Sequence, residues 1–204
     1  MYKISKITTD FFQENIWFVS NEKTETVIID PGEIELEQVT SFLDIHKLKP
    51  IAILNTHGHP DHIAGAALLQ EQYGIPFYIH EQEKFVLDNV HTMAAMVGMT
   101  DLKLPENILY MKGKKLRIQD FNFEIINTPG HTPGSICIKF GLHLISGDTL
   151  FRGSVGRVDL PGGSMEQMKK SIEMLKNLDH NINVYPGHGP CTTIAEEINH
   201  NPYF

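Results

Sequence analysis

The stretch Asn55-Thr56-His57-Gly58-His59-Pro60-Asp61-His62 decides how this chain is interpreted. It places three histidines and one carboxylate within six residues, directly after the apolar run 50–54, which is typical of a buried strand. Ligand sites of α/β sheets lie at strand ends, and imidazole is the commonest side-chain ligand of metal ions. A polar loop that is merely rich in histidine explains this spacing less well, so the stretch predicts a metal site.

Length and composition indicate an ordinary globular protein. The chain has 204 residues, 41% of them hydrophobic, a formal charge of −8 and a pI near 5.7. This acidic balance argues against a nucleic-acid binder held by phosphate contacts. The two cysteines, Cys137 and Cys191, are too few for a disulfide framework and lack CxxC spacing, which favours a reducing compartment. Because no signal peptide or membrane span is evident, we predict a cytoplasmic protein that does not act at a membrane.

Apolar periodicity divides the chain into strands and helices. Alternating or β-branched runs predict strands over residues 2–8, 15–20, 26–29, 51–54, 76–79, 109–111, 115–118, 123–126, 136–140, 142–145 and 183–185. Helical spacing predicts helices over residues 34–46, 63–70, 165–178 and 192–199. Two β-rich segments, each followed by helices, predict α/β (α+β) architecture with two sheets packed face to face and helices outside. With no linker or repeat in the sequence, we expect one domain over residues 1–204.

The segment from Glu81 to Pro105 has two interpretations. Met93, Met96 and Met99 mix helical spacing with weak capping signals. A set of methionines is typical of adaptable core filler, and it is also compatible with a mobile lid over an apolar substrate pocket.

Three further loops repeat the pattern of a strand end followed by a ligand-type residue. The loops Thr128–Gly134, Ser146–Leu150 and Pro186–Pro190 carry His131, Asp148 and His188 among turn-forming and small residues. Together with the first stretch they supply seven candidate metal ligands: His57, His59, Asp61, His62, His131, Asp148 and His188. Asp30 also ends a predicted strand, where it either steadies the histidine loop or only forms a turn with its own backbone.

This set of residues resembles the metallo-β-lactamase superfamily and, within it, the glyoxalase II-like hydrolases. The resemblance covers essentially the whole chain and implies an αββα sandwich with a dinuclear metal site. It assigns His57, His59 and His131 to one metal, Asp61, His62 and His188 to the other, and Asp148 to a bridge between them. Residues 151–163 and 201–204 resemble the compact bacterial branch. Longer glyoxalase II enzymes carry a C-terminal helical domain that grips glutathione, and we expect none here because the sequence ends sixteen residues after His188.

The chemistry of such a site favours thioesters as substrates. Two divalent ions roughly 3.5–4 Å apart can share a hydroxide whose parent water has its pKa lowered to about 7. A thiolate, with a pKa of roughly 8.5 for a simple thiol, leaves with little help from a general acid. Asp61 either orients the hydroxide and moves its proton or is a plain ligand. Arg152 and Arg157 either bind an anionic substrate or are solvent-facing loop arginines.

We therefore predict a metal-dependent hydrolase that cleaves S-lactoylglutathione or another S-acyl thiol. Its cofactors would be two divalent ions, with zinc first and iron, manganese or a mixed pair also compatible with His/Asp ligands. Its partner would be a small-molecule thioester, and the chain would be a monomer or a small homo-oligomer. The alternative is a persulfide dioxygenase of the same superfamily, in which a single iron uses the counterparts of His57, His131 and Asp148. A non-catalytic metal-binding module is a third possibility.

Overall fold

The structure, a computed structural model, describes residues 2–32 and 36–204, which form two compact units. The first unit comprises residues 2–32, 36–79 and Leu87–Met111, and the second comprises His80–Val86 and Lys112–Phe204. Each unit contains one six-stranded mixed sheet. Within the described residues, no helix has the length and apolar character needed to cross a membrane.

The first sheet brings the ends of two parallel strands together. Its strands, in the order β1-β2-β3-β4-β5-β6, are Lys3–Thr8, Asn15–Ser20, Glu25–Ile29, Lys49–Leu54, Phe77–His80 and Leu109–Met111. Strands β1 to β3 pair antiparallel, and β3, β4 and β5 run parallel. Strand β2 is buried along its whole length, as expected for a continuous apolar run. Because Ile29 pairs with Leu54, the loops that follow β3 and β4 start side by side.

Helices of the first unit complete its hydrophobic core. They are α1 Glu37–Ile45, α2 Pro60–Ile63, α3 Ala66–Tyr73 and most of α4 Lys84–Met96. Val39, Leu43 and Leu69 from these helices pack in one cluster with strand residues such as Ile53 and Phe77. Burial of an aliphatic or aromatic side chain of this size stabilises the fold by about 1.5–3 kcal/mol.

The second sheet is also mixed, and it contains one parallel pair of strands. Its strands, in the order β14-β13-β10-β9-β8-β7, are Thr192–Thr193, Asn183–Pro186, His143–Gly147, Ile136–Phe140, Phe121–Asn127 and Lys115–Ile118. Only β10 and β13 pair parallel, with Gly147 opposite Pro186. The remaining elements are the hairpin β11 Leu150–Phe151 and β12 Ser154–Val155, and the helices α5 Met165–Lys176 and α6 Ile194–His200. Met168, Ile172 and Leu175 of α5 pack against strand residues in the core of this unit.

Several predicted elements have the observed bounds. The strands predicted over 15–20, 109–111, 115–118 and 136–140 are confirmed without a shift at either end. The first residues of the predicted helix 34–46 lie outside the described residues, and α1 covers Glu37–Ile45. Helix α4 gives the segment after Glu81 a regular structure that the sequence did not resolve. Within it, Met99 packs against the core, as core filler should, whereas Met96 is 77% exposed.

The helix predicted over residues 63–70 is wrong in its extent. Pro60 stands at the first position of α2, where its fixed φ suits a helix start, so the helix begins inside the histidine stretch. Gly65 then separates α2 from α3, and its N–H donates to Pro31 O at 2.8 Å. Asp61 and His62 are therefore helical residues rather than loop residues.

Candidate metal centre

The histidine stretch of the first unit is almost completely buried. His57, His59 and His62 are exposed by 1%, 4% and 0%, although they follow the end of a strand. The ring centroids of His57 and His62 lie 4.1 Å apart, and those of His57 and His59 lie 4.9 Å apart. The side chain of Asp61 is 24% exposed and its Oδ2 lies 3.9 Å from His62 Nε2. The first unit thus brings together the four candidate ligands predicted from this stretch.

Asp30 holds this stretch through one buried hydrogen-bond network. Its Oδ1 accepts the backbone N–H of Thr56 at 2.7 Å, and its Oδ2 accepts the Thr56 hydroxyl at 2.6 Å. The same Oδ2 lies 3.2 Å from His62 Nδ1. Asp30 adopts a left-handed backbone with φ of 51°, which aspartate tolerates better than most residues. These contacts are the ones expected if Asp30 steadies the histidine loop, which is one of the two interpretations that the sequence offers.

The network defines which ring nitrogen of two histidines carries the proton. The Asp30 carboxylate accepts from His62 Nδ1, so Nε2 is the nitrogen of that ring that would bind a metal. The Thr56 hydroxyl, 3.1 Å from His57 Nδ1, already donates its hydrogen to Asp30 and so accepts from His57. Asp30, His57 and His62 each offer a ligand atom within 4.8 Å of the others. Because both oxygens of Asp30 accept hydrogen bonds, we assign it to orientation of the rings rather than to metal binding.

Two residues that the sequence analysis missed pack against the same stretch. Glu14 is fully buried, and its Oε1 lies 3.8 Å from His62 Nδ1. Its backbone N–H donates to the Thr9 hydroxyl, which closes the loop between β1 and β2. Gly32 passes so near the helix α2 that an added Cβ would lie 1.7 Å from Asp61 O. A charged residue before an entirely buried strand was the one sequence signal for Glu14.

The second unit brings together the other three candidate ligands. His131 follows β8, Asp148 follows β10 and His188 follows β13. The parallel pairing of β10 with β13 continues past the strand ends, where Gly187 N–H donates to Gly147 O at 2.9 Å. As a result, Nε2 of His131 and Nε2 of His188 each lie 3.6 Å from Asp148 Oδ2. His131 and Asp148 are buried, and the His188 side chain is 27% exposed.

The His131 ring is held in the tautomer that a metal ligand needs. Its Nδ1 lies 2.7 Å from the backbone carbonyl of Arg157, and a carbonyl oxygen can only accept. Nδ1 therefore carries a proton, and Nε2, which faces Asp148 Oδ2 at 3.6 Å, is the nitrogen that would bind a metal. Gly156 allows this approach, since a Cβ there would lie 1.8 Å from Asp148 O.

A buried glutamate that the sequence analysis did not identify anchors the His131 loop. Glu83 is fully buried, and its Oε1 accepts the Thr132 hydroxyl at 2.6 Å and the Gly134 N–H at 2.8 Å. It follows β5 in a short 3₁₀ helix, Glu81–Glu83, about fifty residues before the loop that it holds. No local motif marks Glu83, because its partners are distant in the sequence.

The two candidate substrate-binding arginines differ in their surroundings. Arg157 forms a two-pronged ion pair with Asp159, with Nε–Oδ1 and Nη2–Oδ2 distances of 2.8 Å. This pair lowers the pKa of Asp159 to about 2 and raises that of Arg157. Arg152 is exposed in the turn of the β11–β12 hairpin, and among the described residues it makes no ion pair. Arg152 is therefore the better candidate for an anionic substrate.

The cysteines do not extend the candidate site. Burial raises the pKa of the Cys137 thiol to about 11. Hydrogen bonds with Thr128 and Thr149 lower this pKa, but their effect is smaller than that of burial. At neutral pH Cys137 is therefore a protonated core residue and a poor metal ligand. Cys191 is an exposed free thiol.

The donor set fits divalent metal ions. Imidazole nitrogens and carboxylate oxygens suit zinc, iron and manganese, and catalytic sites for these ions keep one position open. In three of the rings, those of His57, His62 and His131, Nδ1 is bonded to protein oxygen and Nε2 is the nitrogen suited to a metal. Oxygen partners on the outer nitrogen are the usual companions of metal-binding histidines.

Comparison with known proteins places these residues in a family context. A sequence profile described as "Metallo-beta-lactamase superfamily" matches residues 9–188. The hydroxyacylglutathione hydrolase GloC of Haemophilus influenzae is 34% identical over 208 residues, which cover 98% of this chain and 97% of that protein.

Solved structures agree with this match and confirm the predicted fold class. The BLEG-1 B3 metallo-beta-lactamase superimposes with a TM-score of 0.90 at 35% identity, covering 98% of this chain and 99% of the other. TTHA1623, solved in a di-iron-bound form, also gives a TM-score of 0.90, at 34% identity, with 98% and 100% coverage.

Proposed function

Because the chain belongs to the metallo-β-lactamase superfamily, we propose that this metallo-hydrolase carries a dinuclear centre and cleaves S-acyl thioesters of the S-lactoylglutathione type. The relative GloC, a hydroxyacylglutathione hydrolase, supports the substrate class. The di-iron form of TTHA1623 supports a centre with two ions. We further propose that residues 1–204 act as one hydrolase domain in the cytoplasm.

The proposed ligand sets follow the family pattern. One ion would be held by His57, His59 and His131, and the other by Asp61, His62 and His188. Asp148 would bridge them, which agrees with its equal 3.6 Å distances to His131 Nε2 and His188 Nε2.

The observation that carries the proposal is the orientation of the histidine rings. His57, His62 and His131 sit in three separate hydrogen-bonded settings, yet each directs Nδ1 to a protein oxygen, so that Nε2 is the nitrogen that would bind a metal. An oxygen partner on the outer ring nitrogen is the usual companion of a metal-binding histidine, and its repetition in three rings supports a ligand set.

The reaction that we propose is attack by water on the thioester carbonyl. Two bound divalent ions would lower the pKa of a water molecule to about 7 and polarise the carbonyl oxygen. Asp61 would orient the attacking water and take up its proton at Oδ1, since Oδ2 faces His62 Nε2 at 3.9 Å. Buried His57 and His59 would exclude bulk water from one side of the reacting carbonyl.

The leaving group separates thioesters from amides. A thiolate departs without protonation, because a simple thiol has a pKa of roughly 8.5, whereas an amine must be protonated as it leaves. The Phe151 ring stands edge-on to the His188 ring, with centroids 6.1 Å apart, and it offers no acidic proton for an amine leaving group. We therefore rank thioesters above β-lactams. The similarity to BLEG-1 makes a β-lactam the second candidate substrate.

A panel of substrates tests the proposal. Purified protein would be assayed for thiol release from S-lactoylglutathione and from a thioester without glutathione, for hydrolysis of a chromogenic cephalosporin, and for oxygen uptake with glutathione persulfide. We expect thiol release to dominate and to disappear after chelation of the metal. Cephalosporin hydrolysis without thiol release would replace the thioesterase with a lactamase, and oxygen uptake would favour the persulfide dioxygenase.

The arginines provide a prediction about substrate binding. Arg152→Ala should raise KM for an anionic thioester by about tenfold with little change in kcat, because one charge-assisted hydrogen bond contributes about 1.5 kcal/mol. Arg157→Ala serves as the matched control, since Arg157 is already paired with Asp159. Steady-state kinetics of both variants would measure this change in KM. An equal KM for Arg152→Ala and the unaltered protein would show that Arg152 does not bind the substrate.

A further inference from the structure

The C-terminal residues Asn201-Pro202-Tyr203-Phe204 have no role in the reaction described above. Asn201, directly after α6, is nonetheless only 5% exposed and makes directed hydrogen bonds. Its Nδ2 donates to Ser154 O at 3.0 Å and to Glu197 Oε2 at 2.7 Å. Both hydrogens of the amide are therefore used. Its Oδ1 accepts the N–H of Tyr203 at 3.0 Å, so the whole side chain is engaged.

Glu197 is the second member of this cluster. It is 1% exposed, and its Oε1 accepts the Thr192 hydroxyl at 2.5 Å. Its Oε2 accepts the Gly153 N–H at 2.8 Å as well as the Asn201 amide. Three donors on one buried carboxylate offset the cost of removing its charge from water. We call Glu197, Asn201 and Thr192 the C-terminal clamp.

The clamp holds the turn of the β11–β12 hairpin. Gly153 N–H and Ser154 O are both bonded to it, and Gly153 takes a left-handed φ of 71° between the two short strands. A hairpin with two residues per strand has no independent stability in water. Its position therefore depends on bonds to other elements, and the clamp supplies them at Gly153 N–H, at Ser154 O and, at 3.5 Å, at Phe151 O.

The segment that contains this hairpin contacts each candidate ligand of the second unit. Before the turn, the Phe151 ring stands edge-on to the His188 ring, with centroids 6.1 Å apart. After the turn, Gly156 packs against the backbone carbonyl of Asp148, and Arg157 O accepts the Nδ1 proton of His131. A shift of the hairpin would move all three ligands.

We propose that Asn201 and Glu197 are positioning residues for metal binding, acting through the hairpin on His131, Asp148 and His188. This inference rests on the proposed function, because it assumes that these three residues bind metal. Partners that orient metal ligands typically change metal affinity by 10–100-fold when they are removed. Asn201→Ala deletes both donated bonds and leaves the Ser154 carbonyl and one side of Glu197 without their partner.

Zinc titration of the full chain tests this inference. Metal-free protein would be titrated with Zn²⁺ in competition with a chromogenic chelator, and the unfolding midpoint of the metal-free form would be measured in parallel. We expect Asn201→Ala to weaken zinc binding by 10–100-fold. Asn199→Ala is the matched control, because Asn199 is exposed on the same helix, and it should bind zinc as the unaltered chain does.

Each outcome separates positioning from simple stabilisation. A lower unfolding midpoint of Asn201→Ala with unchanged zinc affinity overturns the inference. The inference is also overturned if Asn199→Ala loses as much zinc affinity as Asn201→Ala does. If Asn201→Ala does not fold, Thr192→Val decides by the same criteria, since it removes one clamp hydroxyl and keeps the side-chain shape. An unaltered chain that binds no zinc overturns the proposed function together with this inference. Normal zinc binding in the unaltered chain and in the clamp variants overturns this inference alone.

Discussion

Asp148→Asn should reduce thioester turnover by more than about a hundredfold, beyond the range for residues that only orient a ligand. Asp148 is the buried carboxylate that faces Nε2 of both His131 and His188 at 3.6 Å. An amide at this position loses the negative charge that would offset two divalent cations, and it cannot bridge them through two anionic oxygens. Metal content and turnover should therefore fall together.

A matched control separates this loss from a general effect of the substitution. Asp159→Asn makes the same chemical change at an exposed carboxylate of the same unit, where the partner is Arg157. It should leave turnover and metal content unaltered. If Asp148→Asn keeps both ions and turnover within tenfold of the unaltered protein, Asp148 is not a bridging ligand.

Asp30→Asn should weaken metal binding by about 10–100-fold, although Asp30 is not assigned as a ligand. Its carboxylate accepts from the Thr56 N–H and hydroxyl, and it lies 3.2 Å from His62 Nδ1. An asparagine that keeps its oxygen toward the Thr56 N–H places its NH₂ against the Thr56 hydroxyl and His62 Nδ1. The His62 or His57 ring then loses the bond that keeps its proton on Nδ1, and the tautomer with a protonated Nε2 cannot bind a metal through Nε2.

The same change should lower the free energy of unfolding by about 1–3 kcal/mol, because it leaves a buried donor unsatisfied. Backbone strain does not complicate the comparison, since asparagine tolerates the left-handed φ of 51° at this position. Nitrogen-15 NMR of the histidine rings would report the tautomers, and chemical denaturation the stability. Asp44→Asn, at an exposed site on α1, is the control. Unchanged ring tautomers in Asp30→Asn would show that Asp30 does not orient the histidines.

The candidate ligands were predictable because each is marked locally. His57, His59 and His62 share one short stretch. His131 and His188 each follow a strand among glycines and prolines, and Asp148 follows a strand beside Gly147. Asp30 was marked as well by its place at the end of β3. Such residues can be identified from two features of the sequence: the apolar pattern that predicts a strand, and a metal-binding type of side chain directly after it.

The carboxylates that support the ligands were not predictable in this way. Glu14, Glu83 and Glu197 are buried, yet glutamate in a polar stretch normally indicates a solvated surface. Their partners are distant in sequence: Glu83 bonds to Gly134 and Glu197 to Gly153, 51 and 44 residues away. The fold creates these pairs, so no sequence window contains both members.

The shortest strands and the break within one predicted helix were also not predictable from the sequence. Strands β11, β12 and β14 have two residues each, too few for an alternating pattern to appear. The division of one predicted helix into α2 and α3 depends on Gly65 and its bond to Pro31 O, which apolar spacing does not reveal.

The metal content of the protein purified without added metal tests the dinuclear centre most directly. Elemental analysis of the unaltered chain should find two divalent ions per chain, and the same preparation of Asp148→Asn should retain fewer. One tightly held iron per chain, or no bound metal after reconstitution with zinc, iron and manganese in turn, would contradict a dinuclear hydrolase.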